Sequence, residues 1–88
     1  MFTGIIETVG TIVAVREMAG AREIEIRAPD MVPELEAGAS ISVDGACQTA
    51  IRFGSDTFAI ETIGTTLSRT IFGGYRAGTE VNLERSMV

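Results

Sequence analysis

The sequence has no histidine, no lysine and no tryptophan, and its single cysteine is Cys47. Without histidine, the chain alone cannot build a Ser-His or Cys-His nucleophile, and one thiolate with carboxylates is a poor ligand set for zinc. An internal disulfide is excluded, and one free thiol is compatible with a reducing compartment, so we expect a cytoplasmic protein. Acid–base chemistry must therefore use Asp, Glu, Cys, Tyr75, groups of the substrate or a second chain.

Positive charge and long apolar runs are also scarce. The seven basic residues are all arginine, they are scattered along the chain, and the formal net charge is −5. No basic cluster is available to neutralise phosphates or to attract an anionic membrane, which argues against nucleic-acid and membrane-surface binding. No apolar run approaches the roughly 20 residues of a membrane span, and the opening MFTGIIETVG lacks the basic flank of a signal peptide.

Glycine is frequent, with 10 in 88 residues, and it separates short runs rich in β-branched residues. This spacing is typical of short strands joined by turns. Strands are predicted at residues 5–15, 22–28, 40–43, 46–53, 57–63 and 80–87. A helical turn capped by Asp30 is expected in DMVPELEAG, and a short helix in TTLSRTIFGG. Because closure removes exposed sheet edges, we predict an all-β fold: a small six-stranded Greek-key closed barrel with one or two short helices.

The cysteine lies in the stretch VDGACQT, just after a strong turn signal, Asp-Gly. Strand alternation places Cys47 and Thr49 on one face, and the paired strand would present Glu61 and Ile63 opposite them. The patch would hold two small polar groups, one carboxylate and an apolar wall, with the threonines of residues 65–66 just beyond. Such a patch suits a ligand with a flat apolar part and several hydroxyl groups.

A second interpretation of the same strands stays open. In it, Thr49 and Glu61 are solvated outer-face residues and Cys47 is a small buried hydrophobic residue. A nucleophilic cysteine is disfavoured, since nothing near it in sequence is positive and the carboxylate of Asp44 would oppose a thiolate.

Four segments of the chain resemble the N-terminal half of the riboflavin synthase family: MFTGIIE, GASISVDGACQT, TTLSRT and AGTEVNLERSM. They follow the family's order and register from Met1 to Met87. Members of that family consist of two similar six-stranded barrels and a C-terminal helix that forms trimers. The resemblance therefore implies that residues 1–88 are a single lumazine- or riboflavin-binding barrel domain, without the second barrel and the trimerisation helix.

The resemblance also implies an activity. The family converts two molecules of 6,7-dimethyl-8-ribityllumazine into riboflavin and a ribitylamino-pyrimidinedione by four-carbon transfer, without an external cofactor. The same fold also occurs in non-catalytic lumazine- or flavin-binding proteins. For this chain we expect riboflavin or 6,7-dimethyl-8-ribityllumazine as bound ligand, no required cofactor, and little or no turnover by one barrel. A homodimer of barrels, or a second barrel in a longer chain, is the implied partner.

Site residues follow from the resemblance as well. The N-terminal residues would edge the heterocycle, one strand would meet the ligand, and the facing strand with its following turn would contact the ribityl chain. In that order they are Thr3, Gly4, Ile5 and Ile6; Ser40, Cys47 and Thr49; and Glu61, Ile63, Thr65 and Thr66. Cys47 is the candidate for a catalytic role, although a ligand contact is favoured. The chain departs from the family pattern at Thr65, where many members have glutamate, at Ala46 and at Gln48, which affects ligand selectivity rather than fold.

Overall fold

The computed structural model describes residues 4–18, 21–63 and 74–86, which form one antiparallel sheet with its connections. The strands are β1 (Thr8–Met18), β2 (Ala21–Arg27), β3 (Ser40–Val43), β4 (Ala46–Phe53), β5 (Thr57–Ile63) and β6 (Glu80–Arg85). Their order around the sheet is β1-β2-β5-β4-β3-β6, and β6 pairs again with β1. The predicted six-stranded Greek-key closed barrel is confirmed.

Alternate residues of the strands fill the interior of the barrel. Ile24 and Ile26 of β2 are fully buried, and they pair with Ile60 and Phe58 of β5. The other large side chains that are fully buried are Ile12, Ile41, Val43, Val81 and Leu83. Burying each such side chain contributes about 1.5–3 kcal/mol. The interior is therefore a packed core, and chemistry must be sought on the outer surface.

A 3₁₀ turn at Val32–Glu34 follows β2, and its buried residues Met31 and Val32 join the core. The backbone N–H groups of Met31 and Val32 both donate to the carbonyl of Ala28, each at 3.0 Å. The residue that caps the turn is Met31, with no side-chain hydrogen bond. The expectation that Asp30 caps this segment is therefore wrong, because the turn begins one residue later and is closed by backbone bonds.

Three predicted strands, β3, β4 and β5, have the bounds expected from the sequence. The first strand begins at Thr8 and not at Ile5, because residues 4–7 form a separate segment beside β6. The last strand ends at Arg85. Most of the helix predicted in TTLSRTIFGG falls outside the described residues.

Candidate functional site

Small polar side chains of β3 and β4 lie side by side on the outer face of the barrel. Ala46 and Ala50 of β4 are buried inside, so Cys47 and Thr49 between them point outward, and both are exposed. The antiparallel register places Ser40 of β3 opposite Thr49. The interpretation of Cys47 as a buried hydrophobic residue is therefore wrong, since its side chain is exposed.

The polar row continues toward β5. Ala50 pairs with Ile60, both facing inward, so their neighbours Thr49 and Glu61 both face outward at the end of this pairing. On its other side Glu61 pairs with Glu23 of β2. Ser40, Thr49 and Glu61 thus form a row of two hydroxyls and one carboxylate across three strands.

Arginines reduce the negative charge beside Glu61. Its neighbour Glu23 is only 4% exposed although it faces outward. Arg52 forms an ion pair with Glu23, with Nη1 3.1 Å from Oε2, and Nη1 of Arg16 lies 3.8 Å from Oε1. Two carboxylates paired across strands repel each other, and the arginines offset this repulsion. Glu61 itself is exposed, so its carboxylate oxygens can accept hydrogen bonds at the surface.

The N-terminal segment, defined here as residues 4–7, lies against the outer side of β6. At one end the N–H of Gly4 donates to Oε1 of Glu84 at 3.1 Å, and at the other the N–H of Glu7 donates to the carbonyl of Leu83 at 2.9 Å. Between these bonds, Ile5 and Ile6 are 69% and 54% exposed. The segment thus presents two large apolar side chains to solvent.

A cluster of charges fixes the far end of the segment. The carboxylate of Glu7 accepts the backbone N–H of Arg85 at 2.6 Å and its guanidinium at 2.7 Å, while Nη1 of Arg85 lies 2.8 Å from Glu34. The side-chain hydrogen bond with Arg85 is the main cause that lowers the pKa of Glu7 below its ordinary 4.5, and the backbone bond with Arg85 lowers it further. The segment, β6 and the 3₁₀ turn are held together by this cluster.

Open grooves flank the N-terminal segment on both sides. One, of about 640 Å³, is lined in part by Ile5, Ser40 and Glu84. The other, of about 590 Å³, is lined in part by Gly4, Ile6, Ser42 and Glu84. Neither lining includes Cys47, Thr49 or Glu61. The segment is therefore a ridge between two concave surfaces, with the polar row on the neighbouring strands.

Two further polar residues of the same face were missed by sequence reasoning. Ser42 faces Cys47 in the β3–β4 register and Glu84 in the β3–β6 register, so the three residues form a second row. Ser42 and Glu84 are buried although they face outward. Strand alternation in SISV and EVNLER signals their direction. Their burial depends on neighbouring parts of the fold, among them the N-terminal segment, which no local pattern predicts.

The structure brings some of the predicted site residues together and places others elsewhere. It brings Gly4, Ile5 and Ile6 together in the N-terminal segment, and Ser40, Thr49 and Glu61 in one row. Cys47 lies in the second row. Ile63 ends β5, where its backbone pairs with Ala21. The predicted residues Thr3, Thr65 and Thr66 lie outside the described residues.

In the ranges 4–18, 21–63 and 74–86, no group of three or more His, Cys, Asp or Glu side chains is placed so that it could hold a metal ion. Within the part of the chain that the structure describes, no helix has both the length and the hydropathy needed to cross a membrane.

A family model described as "Lumazine binding domain" matches residues 3–86 of this chain. The chain belongs to the lumazine-binding domain family. Among curated relatives, the riboflavin synthases of Actinobacillus pleuropneumoniae and Bacillus amyloliquefaciens are 37% and 36% identical over 99% of the chain. Each alignment covers 40% of the relative. The chain thus spans about two fifths of the length of the curated relatives it matches, and the resemblance noted from the four sequence segments is confirmed.

Solved structures share this fold. LumP complexed with riboflavin is 25% identical, with a TM-score of 0.84 over 97% of this chain and 46% of that chain. LumP complexed with 6,7-dimethyl-8-(1'-D-ribityl) lumazine is also 25% identical, with a TM-score of 0.84 over 100% of this chain and 49% of that chain. The part of LumP that matches this chain therefore has the same architecture as the barrel described above.

Proposed function

We propose that this barrel binds one molecule of 6,7-dimethyl-8-ribityllumazine or riboflavin on the outer face of β3, β4 and β5, beside the N-terminal segment. The observation that carries the proposal is the polar row of Ser40, Thr49 and Glu61, because its Ser40 lines a groove together with the exposed Ile5. Hydroxyls and a carboxylate suit the hydroxyls of a ribityl chain, and isoleucines can pack on a flat ring. The LumP complexes with riboflavin and with the lumazine support the class of ligand.

Each predicted site residue has a role in this proposal. The N-terminal residues border the ring, the β3–β4 residues meet the ligand, and the β5 residues with the following turn contact the ribityl chain. These groups are Thr3, Gly4, Ile5 and Ile6; Ser40, Cys47 and Thr49; and Glu61, Ile63, Thr65 and Thr66. Cys47 is a ligand contact in this arrangement, and no bound cofactor is required.

Catalysis needs a second binding face. The riboflavin synthase reaction transfers a four-carbon unit between two lumazines, so its rate depends on holding two reactants together. Residues 1–88 form one domain in this proposal, and this domain binds one ligand with little or no turnover to riboflavin. A homodimer with two-fold symmetry, or a second barrel in a longer chain, would set two sites face to face. Location in the cytoplasm remains a prediction.

Fluorescence titration with riboflavin and with 6,7-dimethyl-8-ribityllumazine tests the binding face. Micromolar binding is expected. Thr49→Val and Glu61→Ala should each weaken binding by about 1–3 kcal/mol, because each removes a hydrogen-bonding partner of a ribityl hydroxyl that is buried in the complex. The matched controls are Thr11→Val and Glu17→Ala on β1, which should bind normally. If neither ligand binds, the chain is a barrel with another role; if both site variants bind normally, the assigned face is wrong.

A second candidate function is a carrier that binds the ligand without chemistry. The fold similarity to LumP in complex with riboflavin favours it. Incubation with 6,7-dimethyl-8-ribityllumazine separates the two candidates: formation of riboflavin indicates half of a synthase that assembles its second face, whereas stable binding without product indicates a carrier.

A further inference from the structure

Glu84 is a buried carboxylate on the outside of the barrel. Its position on β6 faces outward, in register with Ser42, yet it is only 6% exposed. Burying a carboxylate costs free energy unless hydrogen bonds satisfy its oxygens. One such bond comes from the N–H of Gly4, which is 80 positions away in the sequence. Glu84 therefore joins the beginning of the described chain to its last strand.

The backbone of Gly4 is adapted to this bond. Its φ is +83°, a conformation that residues with a side chain rarely adopt. A Cβ at this position would meet nothing within 4 Å. Glycine is thus favoured here by the backbone conformation and not by lack of space. The same conformation sets the direction in which the N–H of Gly4 points.

The N-terminal segment is fixed to three consecutive residues of β6. Glu84 accepts from Gly4, while the carbonyl of Leu83 and the N–H of Arg85 bond the backbone and carboxylate of Glu7. Ile5 lies between these anchors and is largely exposed, and Glu84 lines the grooves on both sides of the segment. Movement of the segment would therefore change the shape of both grooves.

We propose that Glu84 is a positioning residue: as a hydrogen-bond acceptor, it fixes the N-terminal segment next to Ser42, so that Ile5 and Ile6 form one wall of the ligand-binding face. The effect on ligand rests on the proposed function, whereas the anchoring is a property of the free protein. Glu84 acts through the segment and not by contact with the ligand.

Replacing the carboxylate separates its acceptor role from its charge. Glu84→Gln keeps an oxygen that can accept the N–H of Gly4, and Glu84→Ala does not. Titration with riboflavin should give about tenfold weaker binding for Glu84→Ala and less than about threefold for Glu84→Gln, as expected for loss of one hydrogen bond to a charged group. Glu17→Ala, an exposed glutamate on β1, is the control and should bind normally. Equal losses in both Glu84 variants would refute the acceptor role.

A double-mutant cycle tests whether Glu84 acts through the segment. In a background with Ile5→Ser and Ile6→Ser, the apolar wall is already lost, so adding Glu84→Ala should weaken riboflavin binding by less than about twofold. A full tenfold loss in that background would show that Glu84 acts on the ligand by another route and would overturn the proposal.

Hydrogen exchange of the Gly4 amide, followed by NMR in the free protein, gives a readout that needs no ligand. The amide should exchange faster in Glu84→Ala than in the wild type or Glu84→Gln, and unchanged exchange would refute the anchor. If the wild type binds neither riboflavin nor the lumazine, the proposed function is rejected. The anchor still stands in that case if the Gly4 amide exchanges faster in Glu84→Ala than in the wild type. If Glu84→Ala does not fold, Gly4→Ala disturbs the same bond from the exposed segment, and wild-type binding by that variant would refute the proposal.

Discussion

Gly10 faces the interior of the barrel at a place where there is no room for a side chain. A Cβ there would lie 2.7 Å from Cγ2 of Ile26, 2.7 Å from Cδ1 of Leu83 and 3.2 Å from the carbonyl oxygen of Arg27. Both contacting side chains are fully buried, so they cannot move aside into solvent. The close approach of β1 to its neighbours on both sides depends on this glycine.

Gly10→Ala should therefore lower the free energy of unfolding by about 1–3 kcal/mol, the usual cost of overpacking a core. Urea denaturation followed by circular dichroism measures it. The control is Gly74→Ala, where a Cβ would meet nothing within 4 Å and a change within about 0.5 kcal/mol is expected. A Gly10→Ala protein as stable as the wild type would mean that β1 lies farther from Ile26 and Leu83 than the structure shows.

The strands of the hairpins were predictable from the sequence because two local signals agree. Alternation fixes which residues of β4 face inward, and the turn between β3 and β4 sets their register. Asp44 and Gly45 have φ values of 49° and 88°, as a two-residue hairpin turn with positive φ requires. The polar row of Ser40 and Thr49 follows directly from this register.

Other features of the site depend on contacts that local patterns do not contain. The buried Glu84 accepts a hydrogen bond from Gly4, which is 80 positions away in the sequence. The register shifts between Ile12 and Ala14 and between Ala50 and Arg52 have no glycine to mark them. The cap expected at Asp30 failed for the same reason, since backbone bonds to the end of β2 close that turn. Alternation therefore predicts directions of side chains, while burial depends on long-range packing.

The attachment of the N-terminal segment to β6 should depend on pH on the acid side. Arg85 lowers the pKa of Glu7 below 4.5, so near that pH the folded protein binds fewer protons than the unfolded chain. The stabilisation is complete above about pH 4.5 and is lost as the pH falls through the lowered pKa of the folded state. Glu7→Gln should thus be less stable than the wild type at neutral pH, and the difference should shrink in acid.

Urea denaturation of the wild type and Glu7→Gln from neutral pH to pH 3 measures this difference. Glu36→Gln, a change at an exposed glutamate beyond the 3₁₀ turn, is the control for loss of a surface carboxylate. A stability difference that stays constant over the whole range would show that the Glu7–Arg85 cluster does not contribute to the acid dependence of folding.

Closure of the barrel joins distant parts of the chain into one unit. β6 pairs with β1 on one side and with β3 on the other, and the segment after residue 74 reaches the same end of the molecule through Tyr75. The phenol of Tyr75 donates to Oδ2 of Asp44, whose Oδ1 accepts the N–H of Asn82 at 2.7 Å. One carboxylate thus connects the β3–β4 turn, β6 and the segment before it.

The ionisation of Tyr75 should report on the integrity of this whole arrangement. Tyr75 is the only tyrosine and there is no tryptophan, so the absorbance change of an alkaline titration comes from one group. Burial is the main cause that raises the pKa of Tyr75 above its ordinary 10.0, and the hydrogen bond to Asp44 raises it further. The folded protein therefore holds a proton that the unfolded chain loses, so this contribution to stability is complete below pH 10 and declines as the pH rises further. The phenol should ionise well above pH 10, together with unfolding seen by circular dichroism.

The variant Asp44→Asn tests the cause of the shift. Removing the negative charge beside the phenol should let Tyr75 ionise at a lower pH than in the wild type, while asparagine still tolerates the positive φ of the turn. Phe53→Leu, a change on an exposed side chain of β4, should leave the titration unchanged. Ionisation of Tyr75 near pH 10 in a wild-type protein that keeps its native circular dichroism would show that the phenol is not held at Asp44, and that this end of the barrel opens without loss of the rest of the fold.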